Sequence, residues 1–497
     1  MTLHLSIVLW LPLAFGVIAL FAPPKLAGRI ALAGALLVLA YAIVYLVDFE
    51  QSAAGLQYVT DETWIAELGI HYKLGVDGLN ILFVALTAIT WFAATLWATY
   101  HEWERPRLFF FHLLLGETAV LGALLAQDLA LFVLFFDLML IPFFFLTGMW
   151  GGPKRIAATT KMVIYTLVGS LLMLTAAIAT GVLAAQNSGT ELSFAFSDLA
   201  QRPLGAGTQD WIFLFFAAAF LVKMPAFPLH GWMPDAYRNM PLPALAVFSA
   251  VLSKVAAYGF LRVCAPLYPS AMEQFQTLLL AIALAGILYG SAMAFTTTES
   301  RLILGYSSLA QLGFITMGVF ALNPQGSQGA LLQAFNHGLV VAPAFFIVAL
   351  LAARSGGSED IRDMGGIAMR APVLAAMFLI VAFATLAMPG SANFVGEFLI
   401  LLGVFQTKLV FSILAFTGVV MASAYALRLY IRAMHNRTGP RVESREMSLR
   451  DGLVLVPLVV VILAISLYPQ FALERTEKTV TSGTQDTAAE VAGSSGP

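Results

Sequence analysis

Apolar runs of about twenty residues follow one another along almost the whole chain, separated by short polar connections. A helix needs about 20 predominantly apolar residues to cross the hydrocarbon core of a bilayer. Fourteen segments meet that need, beginning near residues 3, 28, 77, 108, 129, 159, 211, 243, 270, 302, 327, 371, 409 and 451. The stretch 186–210 is the main long connection, with room for a short amphipathic segment. From about residue 472 the pattern stops. The polar, small-residue sequence TEKTVTSGTQDTAAEVAGSSGP has the composition of a disordered tail.

Composition agrees with a polytopic membrane protein. The chain is 60% hydrophobic and only 11% charged, whereas a soluble domain carries about 25% charged residues. The formal net charge of −2 leaves no footprint for nucleic acid. The single cysteine, Cys264, excludes a disulfide or an all-cysteine metal or iron–sulfur site within the chain. Neither GxGxxG nor a Walker A pattern occurs, so nucleotide binding has no support. The N-terminal MTLHLSIVLWLPLAF lacks a basic leader region and reads as a first membrane helix rather than a cleaved signal.

The basic residues orient the bundle. Alternating the fourteen spans places 18 lysines and arginines on one side and 6 on the other. The remaining two, Lys223 and Lys254, fall inside spans. The bias predicts that both termini lie outside.

An internal repeat is visible in the spacing. Span starts at 108, 129, 211 and 243 recur at 270, 302, 371 and 409, each about 165 residues on. The helix breakers recur as well: LVKMPAF at 221–227 and LAMPGSA at 386–392, with Pro225 and Pro389 164 residues apart. An odd number of spans separates the two units, so they would be inverted. Paired interruptions in inverted halves point to a transport site near the bilayer midplane.

Four ionisable residues stand well inside apolar runs: Asp137, Lys223, Lys254 and Glu397. A charge at the bilayer centre costs roughly 2.5–3.5 kcal/mol on insertion scales. Buried ion pairs that merely lock helices would explain one or two such residues. Four, of both signs, favour a proton path. Protonation of a buried lysine depends on whether a carboxylate is near, and Asp137 is the candidate partner of Lys223. His230, after the two prolines, and His337, beside Gln333 and Asn336, are candidate relays, because imidazole exchanges protons near neutral pH. Either could instead be a packing histidine. Glu117 is also intramembrane, lining a path or capping a contact between helices. Asp128 and Asp235 read as span-end residues, and Tyr306, Ser307 and Ser308 as either path or packing.

In order, the motifs LGVDGLN (74–80), AQDLALFVLFFDLMLIP (126–142), VKMPAFPLHGWMPDAY (222–237), LSKVAAYGFLR (252–262), ESRLILGYSSLAQLGF (299–314), FNHGLVVAPAFF (335–346) and MPGSANFVGEF (388–398) run through the chain. Together they resemble the antiporter-like membrane subunits of respiratory complex I, most closely the chain M type. The resemblance implies an all-α bundle of fourteen transmembrane helices, with two inverted five-helix repeats and broken helices 7 and 12. The corresponding divisions are residues 1–107, 108–265, 266–435, 436–471 and a tail at 472–497. It implies a proton-translocating subunit of NADH:quinone oxidoreductase, in which Asp137, Lys223, Lys254 and Glu397 form a central charged row and His230 and His337 match family histidines. FMN, iron–sulfur clusters and quinone are expected in partner subunits and none in this chain. The implied partners are other membrane subunits of the complex, the chain L and N types, within a bacterial inner membrane.

Three positions depart from the family pattern. Asp137 replaces the usual glutamate and is one methylene shorter, so its pair with Lys223 would be longer or bridged by water. Tyr237 stands where the HxWxPDAH pattern ends in histidine. Arg301, in ESRL, replaces a lysine, and arginine does not release a proton readily. The short stretch after the last span and the FVGEF glutamate favour chain M over chain L. A multi-chain cation/proton antiporter subunit is the alternative. A scaffold whose buried charges only fix packing is a third reading.

Overall fold

The computed structural model describes residues 4–494. Twelve helices are long and apolar enough to cross a membrane. The shorter apolar helix Leu5–Phe21 adds a pass, and Pro372–Thr385 with Ala392–Thr407 make one interrupted pass between them. The bundle therefore has fourteen spans among the described residues. Most begin within a turn of the positions expected from hydropathy. The seventh starts earlier, at Ala206, and the ninth later, at Gln276.

Local chemistry sets many of the ends. Proline opens the helices at Pro24, Pro106, Pro324 and Pro372, where its missing N–H has no partner to lose. The Asp128 carboxylate caps the fifth span by accepting from the N–H groups of Ala130 and Leu131 at 2.9 and 3.0 Å. Asn323 caps the eleventh span through Gly326 N–H, 2.8 Å away. Ser448 and Asp451 cap the fourteenth reciprocally.

The seventh and twelfth spans are interrupted, as the prolines predict. The first stops at Lys223 and resumes as Met233–Asn239. The second stops at Thr385 and resumes at Ala392. The eighth span, Leu242–Leu267, is continuous but irregular. Its backbone widens to i→i+5 bonding over Phe248–Leu252 and again over Phe260–Cys264. Such bulges free a backbone carbonyl and concentrate at functional sites. The eighth, tenth and eleventh spans form the inside of the bundle: at least 94% of each spanning window is buried.

Two features were not expected. Between the second and third spans, Gln57–Ile65 and Ile70–Val76 form an antiparallel hairpin. Lys73 O accepts from Gln127 N–H at 2.8 Å, Gly69 O accepts from Phe194 N–H at 3.2 Å, and His71 N–H donates to Asp128 at 3.1 Å. These bonds seat the hairpin across the fourth-to-fifth turn and the 186–210 connection, which itself holds a short helix, Phe196–Ala200.

The second feature corrects the expectation of a disordered tail at 472–497. Residues Gln470–Ser494 are helical, and 495–497 lie outside the described residues. Ala472, Thr476 and Val480 recur every four positions and are buried, so the small residues form a packed stripe rather than a solvated chain. Arg475 donates to Leu46 O and lies 3.8 Å over the Phe471 ring. Thr479 accepts from Gly78 N–H at 3.1 Å.

Candidate functional site

The interrupted seventh span exposes the end of a helix inside the bundle, and Lys223 is its last residue. Lys223 is 5% exposed. Its ammonium donates to the Phe136 carbonyl at 3.1 Å and lies 4.7 Å from the Phe136 ring centre. Asp137 is the next residue in the chain. Lys223 and Asp137 are within electrostatic reach of each other, yet no salt bridge joins them among the described residues, and Asp137 Oδ1 has no partner. The lysine bonds to the backbone one residue earlier instead.

Lys254 is fully buried in the eighth span, between the two widened segments. Its ammonium donates to Ser249 O, a carbonyl within the first of them. His337, 3% exposed on the eleventh span, lies within electrostatic reach of Lys254, and its Nδ1 has no partner among the described residues. One residue before it, Asn336 donates from Nδ2 to Ala392 O at 2.6 Å. That bond ties the eleventh span to the start of the second half of the twelfth.

Glu397, 3% exposed, sits one turn into that half-helix. Gln311 Nε2 donates to Glu397 Oε1 at 2.7 Å. Gln333 Nε2 donates to Gln311 Oε1 at 2.6 Å and reaches Glu397 Oε1 at 3.4 Å. Glu397 Oε2, Gln333 Oε1, Asn336 Oδ1 and both amide atoms of Asn393 are buried without partners among the described residues. Buried polar atoms in proteins are satisfied by protein groups or by ordered water, so this concentration of free donors and acceptors marks a polar interior capable of hydration.

The structure thus arranges the charged residues as three stations. Asp137 and Lys223 form the first, Lys254 and His337 the second, and Glu397 with its amides the third. Gln333 and His337 are one turn apart on the same face of the eleventh span, which links the second station to the third. His230 does not join the row. It lies at the break of the seventh span among Phe227 and Tyr289, with ring centres 5.7 and 4.9 Å away. Glu117 is fully buried with both oxygens unpartnered, and so caps no contact among the described residues.

Other expected positions resolve into packing. Asp235 pairs with Lys161 at 2.9 Å. Arg301 donates to Glu359 at 2.6 Å and to the carbonyls of Tyr237 and Met240. Ser307 donates to the Tyr425 hydroxyl at 3.0 Å. Gln311 was missed by sequence reasoning. Its signal is an amide in the otherwise apolar run LAQLGFI, which periodicity alone does not distinguish from a packing residue. Among the described residues no three His, Cys, Asp or Glu side chains are grouped to hold a metal.

Comparison with known proteins places this arrangement. The family model described as NADH:quinone oxidoreductase/Mrp antiporter, TM, matches residues 126–422. NADH-quinone oxidoreductase subunit M of Rhodobacter capsulatus is 36% identical over 488 residues, covering 95% of this chain and 94% of its own length. The subunit M of Escherichia coli (strain K12) is 37% identical over 432 residues, covering 84% of each chain. Among solved structures, a chain of respiratory complex I from Thermus thermophilus with bound NADH aligns with a TM-score of 0.89 at 30% identity, covering 97% of this chain and all of that one. A chain of the archaeal membrane-bound sulfane sulfur reductase shares the fold, with a TM-score of 0.80 at 24% identity, covering 93% of this chain and 75% of that one.

Proposed function

The chain belongs to the NADH:quinone oxidoreductase/Mrp antiporter membrane family, and from that premise we propose that it is a proton-translocating, chain M-type subunit of complex I. The observation that carries the reading is the buried row of Lys223, Lys254 and Glu397, on two interrupted helices and one irregular helix. Such charges are too costly in the membrane interior to persist without a path or partners, and hydrogen bonds among the described residues satisfy them only in part.

In this reading Lys223 holds a proton whose retention depends on Asp137. The flexible lysine stem lets the ammonium move between the Phe136 carbonyl, where it now rests, and the carboxylate beside it. Lys254 passes a proton towards His337 and onward to Glu397. Glu397 is the last carrier, and its release completes the transfer. His230, beside the break, relays protons towards the first station. Redox chemistry with FMN, iron–sulfur clusters and quinone belongs to other chains of the complex, and the neighbours in the membrane are the chain L and N types. The hairpin faces the outside of a bacterial inner membrane, as do both termini, in keeping with the uneven distribution of lysine and arginine. The two interrupted spans occupy equivalent places in inverted five-helix units, residues 108–265 and 266–435.

The test is NADH-driven proton pumping in vesicles after Lys223→Ala, in a complex shown to be assembled. The expected result is loss of pumping beyond any loss of electron transfer. Unchanged pumping in the assembled complex would overturn the channel role. The family also includes Mrp antiporters, so the partners decide the context: copurification with flavin and iron–sulfur proteins supports complex I, and their absence from a purified, active assembly supports a cation/proton antiporter.

A further inference from the structure

The third station contains a directional arrangement that the charged row does not explain. Gln333 Nε2 donates to Gln311 Oε1, Gln311 Nε2 donates to Glu397 Oε1, and Gln333 Nε2 also reaches that same oxygen. The three side chains close a ring in which both amides point N–H groups at one carboxylate oxygen. All three are buried, Gln311 and Gln333 completely. The other oxygen, Oε2, accepts from no protein group among the described residues.

We propose that Gln311 and Gln333 are positioning residues that hold Oε1 as a permanent acceptor and reserve Oε2 as the only oxygen of Glu397 that takes up and releases the proton. This deepens the assignment of Glu397 as a proton carrier and rests on it. A proton on Oε1 would confront the Gln311 N–H with a second hydrogen, and relieving that clash would require both amides to turn over together. A side-chain amide donates hydrogen bonds but does not exchange its proton as an imidazole or carboxylate does. The contiguous path from His337 through Gln333 and Gln311 therefore ends in a brace, not a relay.

Another buried amide shares the helix face of Glu397. Asn393 precedes Glu397 by one turn of the same helix, so the two share a face. It is fully buried, and both its amide atoms are unpartnered among the described residues. Asn336, beside His337, is bonded to Ala392, the residue before it. Transfer from the second station thus reaches Glu397 on the Asn336–Asn393 side. The brace is built tightly: a Cβ on Gly396 would lie 2.6 Å from Gln333 Oε1 and 2.9 Å from the Gln333 backbone, so glycine lets the eleventh span press Gln333 into place.

The experiment uses the whole complex with Gln311→Met, which keeps side-chain length and removes the N–H donor. Glu397→Gln identifies the infrared C=O band of the protonated carboxyl and serves as control. Losing one hydrogen bond to a charged group corresponds to about a tenfold fall in NADH-driven pumping. The carboxyl band is expected to move to higher wavenumber. Gln311→His, which restores an N–H donor, is expected to recover both readouts. Wild-type pumping and an unmoved band in Gln311→Met, or a Gln311→His variant as impaired as Gln311→Met, would overturn the proposal. If Gln311→Met does not assemble, Gln333→Met is read in the same way, with a smaller band shift expected from the longer 3.4 Å contact and an unmoved band counting against the brace. If Glu397→Gln itself pumps normally, the carrier role fails. If it fails to pump while Gln311→Met behaves as wild type, only the brace is wrong.

Discussion

The C-terminal end of the eighth span offers a prediction with a calculable size. Arg262 NH2 donates to Asp77 Oδ1 at 2.6 Å, and the two side chains are 11% and 5% exposed. Arg262 Nε also donates to the Tyr258 hydroxyl at 2.9 Å, which donates to Leu124 O at 3.0 Å. Asp77 Oδ1 further accepts from Leu79 N–H at 2.9 Å. Asp77→Asn keeps the acceptor for Leu79 while removing the charge, so it leaves a buried guanidinium uncompensated. Breaking a buried pair from one side costs about 3–5 kcal/mol. Arg262→Met, which strands the carboxylate, carries a similar penalty. The double variant strands neither charge and should cost much less than the two singles together, giving a coupling of at least about 2 kcal/mol. The assay is a double-mutant cycle on the unfolding free energy in mixed micelles. Single-variant costs that simply add in the double, to within about 0.5 kcal/mol, would refute the reasoning, because the pair would then be no more than two independent surface contacts.

Two further outcomes follow from the geometry. Gly396→Ala would place a methyl group 2.6 Å from Gln333 Oε1; overpacking of this kind costs about 1–3 kcal/mol, and the variant should lose stability and NADH-driven pumping together, measured by thermal unfolding and vesicle acidification. On the hairpin, burial raises the Asp61 carboxyl, but the Lys73 ammonium and the His71 ring, bonded to it at 2.9 and 2.8 Å, outweigh this and hold it below the usual carboxylate value. Its contribution is therefore complete above the ordinary carboxylate range and is lost as pH falls through the depressed value, so amide protection across residues 57–76, measured relative to the intrinsic exchange rate at each pH, should fall in acid for the native chain and respond much less to acid in Asp61→Asn.

The membrane spans were legible in the sequence because the bilayer demands a long apolar run whatever the neighbours are. The two interruptions were legible because proline cannot continue the backbone ladder. Lys223, Lys254 and Glu397 could be picked out because their cost in lipid is high wherever they point. Contacts were another matter. Asp137 and Lys223 could be matched as partners, but not the Phe136 carbonyl that takes the lysine's bond instead. Gln311 carries no charge to draw attention, and its importance comes only from the eleventh and twelfth spans that meet it. The hairpin was hidden because QYVTDETWI mixes polar and apolar residues without a clean alternation. The final helix was hidden by its polarity, although Ala472, Thr476 and Val480 already mark a face.

That final helix also bears on how the molecule is made. The bond from Gly78 N–H to the Thr479 hydroxyl joins residues 401 positions apart, and Arg475 reaches back to Leu46, 429 positions away. Contacts so distant along the chain form late, after the loop between their ends has been ordered. The turn that opens the third span, with Asp77 in it, is thus translated early and fastened last. During synthesis every later span must find its place beside a site whose closure has not yet been translated.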